Sequence, residues 1–373
     1  MAEQTTISPV EYSNFLQSGA ILSEPENQFK LIWAPFKSLL IDLRAISKTP
    51  WRQTLIYKPY FWDFLENKIK PTEFCIGSKE AILSRSELLH LSENFFFKQS
   101  LSKIRWQKED WGDFENQFHW SQKQFSEKLL IKTVPITLKK GEVNFSIAEL
   151  NEALKNCLKS EAYGSIYGFW QNDSGFLGLS PEIIGKWCSI NKNFETVALA
   201  GTQKNSNHVE CEMLENFKLM KEHQIVVDDI QQSLSKTTKQ VNKTETQILK
   251  LPLFSHLQTR LSITTENLSE AFKLVQDIHP SAALGIYPRN SDLFKQFSRI
   301  NIQKHRQNFA APFGFINNES LKIIASIRNF FFSNDEVTIF SGCGIVKESL
   351  LDQEVEELKQ KRLSVQKMMD FNL

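Results

Sequence analysis

Residues 129–137 read LLIKTVPIT. The run is apolar and β-branched, which predicts a buried strand, and Pro135, with no N–H for a ladder, marks its end or an edge. Lys132 interrupts it. Just downstream, Ser146 and Glu149 form a capping-box pattern ahead of Leu150, Ala153, Leu154, Cys157 and Leu158, so a helix follows the strand. Further strands are expected over residues 165–170, 175–179 and 183–187. Short β-rich runs alternating with longer helical patterns predict a mixed α and β architecture.

Toward the C-terminus, residues 209–234 contain no Gly or Pro and carry Leu214, Phe217, Ile225 and Val226, a helical pattern with Glu222 inside it. Residues 322–328 and 337–340 read as a hairpin. Ser341-Gly342-Cys343-Gly344 follows, and then a long helix to about Phe371. Gly342 and Gly344 permit close backbone approach to a ligand where strand gives way to helix. Toward the N-terminus the composition shifts near residue 120, because six of the eight tryptophans lie in the first third.

At 373 residues, with 41% hydrophobic and 23% charged side chains, the chain has the composition of a folded globular protein. Lys plus Arg (44) nearly cancels Asp plus Glu (43), and no basic block stands out, so neither nucleic acid nor an anionic membrane is an expected partner. Cys75, Cys157, Cys188, Cys211 and Cys343 are scattered and never spaced C-x-x-C, which argues against a disulfide framework or a structural zinc. The first residues lack a basic region followed by an apolar stretch, and no run reaches the roughly 18 apolar residues of a membrane span. A reducing, cytoplasmic compartment is expected.

Several residues have chemical potential on spacing alone. Glu354, Glu357 and Lys361 stand at i, i+3 and i+7 and share one helix face, suited either to a cation beside an anionic substrate or to plain solvation. An amine within an apolar strand, such as Lys132, is desolvated and can serve as a general base, unless it sits at a strand end and reaches water. Glu182, after Ser180-Pro181, is either a buried acid or an exposed turn residue. His256 and His279 are not at metal-ligand spacing and read as hydrogen-bonded structural residues.

In chain order the motifs are Phe176-Leu177-Gly178-Leu179-Ser180-Pro181-Glu182, Ala198-Leu199-Ala200-Gly201-Thr202, Glu222-His223, His256-Leu257, His279-Pro280-Ser281-Ala282-Ala283, Ile327-Arg328, Gly342-Cys343-Gly344-Ile345-Val346, and Glu354-Val355-Glu356-Glu357 with Lys361. This succession over residues 129–373 resembles the chorismate-utilising enzymes: isochorismate synthases, salicylate synthases, anthranilate synthase large subunits and aminodeoxychorismate synthases. The first 120 residues match only loosely.

The resemblance implies an α+β fold, one chorismate-binding domain with two large antiparallel sheets flanked by helices. Residues 1–120 would be its divergent N-terminal part and 121–373 its catalytic region. It implies Mg²⁺ held by Glu222 and Glu357, with Glu354 nearby. Lys132 matches the general base and Glu182 the general acid. Arg328 and Lys361 match carboxylate-binding groups, while Gly201, Thr202, His256, Ala283, Phe309, Gly342 and Gly344 match positions lining the substrate cleft.

Ammonia-using members usually carry Gln at the position of Lys132 and draw ammonia from a glutaminase partner. Lys132 therefore points to water as nucleophile, isochorismate as product and no glutaminase partner. Salicylate synthases share the lysine but tend to have Thr where this chain has Ala283, and they rank second. A degenerate chorismate-binding protein is the non-enzymatic alternative. Ile286 and Ala311 stand where relatives have glycine and could crowd the cleft. Leu350-Leu351 replaces the usual Asp-Pro, and Val355 the usual Trp.

Overall fold

The computed structural model describes residues 7–42, 53–65, 72–95, 101–160, 164–205, 209–237, 239–250 and 254–370. Among them, antiparallel pairing links 17 strands into one network, and a two-stranded ladder stands apart. The network divides into two leaves. In the first, Ile136–Glu142, Glu336–Gly342, Asn329–Phe332, Ser174–Ser180, Ser165–Gln171 and Ser18–Glu24 lie side by side in that order. In the second, the order is Leu55–Tyr57, Pro312–Ile316, Ser320–Ala325, Ile183–Cys188, Asn193–Lys204 and Phe254–Thr264.

Two long strands join the leaves. Gln28–Ile41 pairs with Ser18–Glu24 of the first leaf, and its partner Thr72–Ser84 pairs with Leu55–Tyr57 of the second. Their ladder is interrupted between Trp33 and Phe36, where Pro35 has no N–H to donate. Gly77, opposite Phe36, lets the strands close up there: a Cβ at that position would meet Ile32 Cγ2 at 2.4 Å. The two antiparallel sheets expected from the sequence are thus two leaves of one network.

Helices cover both leaves because their apolar stripes match the sheet faces. Ile147–Lys159 begins at Ser146, whose capping box with Glu149 is complete, an arrangement in which the N-cap alone is typically worth about 1 kcal/mol. It buries Leu150, Ala153, Leu154, Cys157 and Leu158 in the core of the first leaf, with Trp170, Phe330 and Ile339. Phe217–Leu234 and Leu268–Ile278 bury Ile225, Val226, Ile230, Phe272 and Val275 against Ile184, Phe194 and Leu261 of the second.

Two connections carry the chain between leaves, and both matter for function. Pro181-Glu182 links Ser174–Ser180 to Ile183–Cys188, and residues 326–328 link Ser320–Ala325 to Asn329–Phe332. They run side by side, since Leu179 N donates to Arg328 O at 3.1 Å and Ala325 N to Glu182 O at 3.0 Å.

Three local expectations need correction. The strand partner of Glu336–Gly342 within the C-terminal hairpin is Asn329–Phe332; Ser320–Ala325 pairs elsewhere, because the chain turns at Arg328, φ +55°. The helix expected over 209–234 is two, Val209–Glu215 and Phe217–Leu234, since Asn216 caps the second through its side chain to Leu219 N. The 129–137 run yields only a two-residue strand, Lys132–Thr133, before Pro135, and a new strand starts at Ile136. The C-terminal helix spans Leu351–Gln366 and tightens into a 3₁₀ turn to Met369. Its N-cap, Leu350, has no side-chain hydrogen bond to offer, the consequence of the missing Asp.

Candidate active site

Where the leaves meet, a cleft opens with about 780 Å³ of space outside protein atoms, its mouth included. Gly342 closes a first-leaf strand with Gly344 just beyond it, Lys132 comes from the separate two-stranded ladder, and Gly201, Thr202 and His256 come from the second leaf. Glu222 comes from the helix Phe217–Leu234, and Glu357 and Lys361 from the C-terminal helix. Glu182 and Arg328 sit on the two inter-leaf connections, with Ala283 and Phe309 on loops. Every residue matched to a substrate, catalytic or metal-ligating role therefore lines one cavity, and Glu354, expected beside the metal ligands, does not border it. Ile286 and Ala311 do not: Ile286 packs with Phe294 and Phe118, and Ala311 with the second-leaf core. Neither crowds the cleft, because both side chains pack into apolar clusters.

Lys132 is 1% exposed, so the strand-end alternative fails. Its Nζ donates to Glu222 Oε1 at 2.9 Å. Gly344 makes this possible: a Cβ there would stand 2.1 Å from Glu222 Oε1 and 2.8 Å from Lys132 Cε. The glycine on the cleft wall also makes room for the protein's own ion pair.

Glu182 is buried rather than exposed in a turn. Burial pushes its carboxyl up to about 8, against the opposing pull of Lys132 and Lys361, so it is largely protonated at neutral pH. A neutral carboxyl facing a cleft is a proton donor in waiting.

Arg328 holds φ +55°, a conformation uncommon for a side chain of its size and of the kind found at ligand clamps. Its Nη1 donates to Ser364 Oγ at 3.0 Å, and burial lowers the guanidinium to about 10, with Glu357 opposing. His256 Nδ1 lies 3.1 Å from Thr202 Oγ1. Burial, then Arg328 and Lys361, hold its ring well below the usual histidine range, and its buried Nε2 has no protein partner. A neutral imidazole so placed has one polar atom to offer a ligand. His279, by contrast, lies outside the cleft with Nε2 3.4 Å from Phe61 O, a structural histidine.

The acidic side chains form an open arrangement. Glu222 pairs with Lys132, Glu357 with Lys361 at 2.6 Å, and Glu354 with Lys218 at 2.9 Å. Burial first, then repulsion from Glu357, raises the Glu354 carboxyl. Among the described residues no three His, Cys, Asp or Glu side chains are grouped closely enough to enclose a metal ion. Glu222 and Glu357 offer hard oxygen ligands on the cleft wall, a donor set that fits Mg²⁺, which commonly takes one or two carboxylates and completes its shell with water and substrate.

Sequence reading missed Lys218 and Arg306. Lys218 lies in the same helical run as Glu222, four positions earlier, and its helix spacing was the available signal. Arg306 lies in a loop with no periodicity to mark it.

A family model described as chorismate binding enzyme matches residues 71–370. The chain belongs to the chorismate binding enzyme family. Isochorismate synthase MenF of Escherichia coli is 28% identical over 211 residues, covering 55% of this chain and 48% of that protein. The chain spans about half the length of the curated relatives it matches. The solved structure of the menaquinone-specific isochorismate synthase MenF from Escherichia coli superposes with a TM-score of 0.76 at 18% identity, covering 95% of this chain and 89% of that one. Anthranilate synthase component I from Streptococcus pneumoniae superposes at 0.70 with 14% identity, over 92% and 93%. The chorismate binding enzyme fold is therefore shared by relatives named for different reactions, and the site must separate them.

Proposed function

We propose that this chain is an isochorismate synthase, converting chorismate to isochorismate with Mg²⁺ as cofactor. The observation that carries this reading is the pair of Lys132 and Glu182 buried in one cleft, the carboxyl protonated at neutral pH. In the reaction water adds at C2, the ring double bonds shift, and the C4 hydroxyl departs as water, so one water enters and one leaves. Lys132 takes the proton of the attacking water, and Glu182 delivers one to the departing hydroxyl. As the base, the amine presents its lone pair to the attacking water, and its N–H groups can go on donating to Glu222.

Charge supports a doubly anionic substrate. Lys132, Arg306, Arg328 and Lys361 line the cleft against the carboxylates of Glu222 and Glu357, with Glu182 neutral, leaving two positive charges in excess before any metal. Arg328 and Lys361 bind substrate carboxylates, and His256 Nε2 offers a further hydrogen bond. Glu222 and Glu357 would hold Mg²⁺, which would supply a cation for one carboxylate of the substrate.

Salicylate synthesis from the same cleft would require pyruvate elimination, and Ala283 provides no hydroxyl to orient the enolpyruvyl group. Incubation of the purified chain with chorismate and Mg²⁺, with and without ammonium, followed by chromatography, tests the reading. Isochorismate is expected in both. Anthranilate or aminodeoxychorismate as main product with ammonium, or salicylate and pyruvate formed as fast as chorismate disappears, overturns it, and no turnover at all favours the chorismate-binding protein.

A further inference from the structure

Arg306 is one of the largest fully buried side chains in the molecule, at 0% exposure, and it lines the cleft. Its hydrogen-bond partners are all neutral: Nη2 donates to Leu284 O at 2.8 Å, Nε to Phe309 O at 3.2 Å and Nη1 to Gln303 Oε1 at 3.4 Å. The guanidinium also lies over the Phe61 ring, 3.4 Å from its centroid. Among the described residues no carboxylate forms an ion pair with it. Burial alone lowers its affinity for a proton, with no acidic side chain to oppose the effect.

The contrast within the same molecule is sharp. Buried Arg362 has Glu109 at 3.3 Å, and Arg289 has Asp229 at 2.7 Å. A buried cation without a counter-charge is costly, and carbonyl and aromatic contacts offset only part of that cost. Its position is also particular. Leu284 and Phe309 belong to the two loops that bring Ala283 and Phe309 to the cleft, so the charge is fixed in the wall beside the ligand space.

We propose that Arg306 is a charge-positioning residue whose counter-ion is the ligand: its field selects doubly anionic molecules for the cleft without touching the reacting atoms. This rests on the reading of the cleft as a chorismate site only in the choice of one probe. The low dielectric of the wall lets a fixed charge act over a separation at which water would screen it.

The test is calorimetric titration of the full chain with two dianions, chorismate and isophthalate, and with their methyl esters of lower charge. The proteins are the parent, Arg306→Gln and Arg306→Lys. Glutamine keeps an amide donor for the carbonyls and removes the charge, whereas lysine keeps the charge. Arg306→Gln is expected to lose about tenfold in affinity for a dianion and at most about twofold for the fully esterified form, with Arg306→Lys within about threefold of the parent. Equal losses for dianion and ester show a purely structural role and overturn the inference, as does an Arg306→Gln protein that binds like the parent. Should both variants fail to fold, the parent decides: binding dianions no tighter than their esters overturns the inference, and a clear preference for dianions supports it. Chorismate failing where isophthalate shows the stated pattern overturns the chorismate reading and leaves the role of Arg306 standing. A parent that binds neither dianion overturns both.

Discussion

The amine of Lys132 lies 2.9 Å from Oε1 of Glu222, a bond between residues 90 positions apart. It joins the proposed base to a proposed metal ligand, so changes at either residue are felt at the other. Lys132→Gln removes the base and leaves Glu222 without its cation. Its kcat for isochorismate formation is expected to fall by about 10² to 10⁴, the range for loss of a general base. Steady-state kinetics with product chromatography checks this, and a folded variant working at the parent rate rules out the role.

Glu182 should set the alkaline limb of activity. The acid must be protonated, and its carboxyl is pushed up to about 8, so kcat/KM should fall as pH rises through that value. Glu182→Gln should lower kcat by about 10² to 10⁴.

The same group makes stability depend on pH. Its folded-state value is raised above the ordinary 4.5, so the stability it contributes is fully present below 4.5 and is lost as pH rises through about 8. Glutamine mimics the neutral acid and removes the dependence. Between pH 5 and 8 the parent should lose stability relative to Glu182→Gln by on the order of a few kcal/mol. Denaturant titrations across that range measure it, and parallel curves defeat the assignment.

Glu357 is expected to bind Mg²⁺ jointly with Glu222, coupling metal to substrate. Glu357→Gln keeps the shape and removes one ligand charge, so Mg²⁺ affinity, and through linkage chorismate affinity in its presence, should weaken together. Glu356→Gln is the control on another face of the helix. Calorimetric titration decides, and an unchanged magnesium affinity in Glu357→Gln sinks the idea.

Gly344→Ala tests the packing that brings base and ligand together. The added Cβ would meet Glu222 Oε1 at 2.1 Å, forcing the carboxylate or the lysine aside. Activity should fall at least about tenfold, and the melting temperature should fall with it, since the displaced groups form a buried ion pair. Activity at the parent level would mean that the pair has no part in turnover.

Local features were legible where one short stretch contains all the physics involved. The Ser146 and Glu149 capping box, the helix it opens and the strands that follow it are as expected, because caps and strand periodicity depend only on near neighbours. The hairpin at residues 322–340 was misread because positive φ at Arg328 redirects the chain, and an arginine does not advertise that conformation. The residues of the cleft were legible only through motif order; taken singly, Glu182 suited an exposed turn and Lys132 a strand end reaching water. Lys218 and Arg306 went unseen because their significance lies in what surrounds them.

By itself the sequence determined the mixed α and β class, several elements of the C-terminal two thirds, and the set of polar residues available for chemistry. Those follow from periodicity, capping and turn preferences, all local. The tertiary structure alone decided the protonation of Glu182, the partner of Lys132 and the isolation of Arg306. Each depends on burial and on charges contributed by distant segments, and desolvation is a property of the three-dimensional surroundings that no stretch of chain contains.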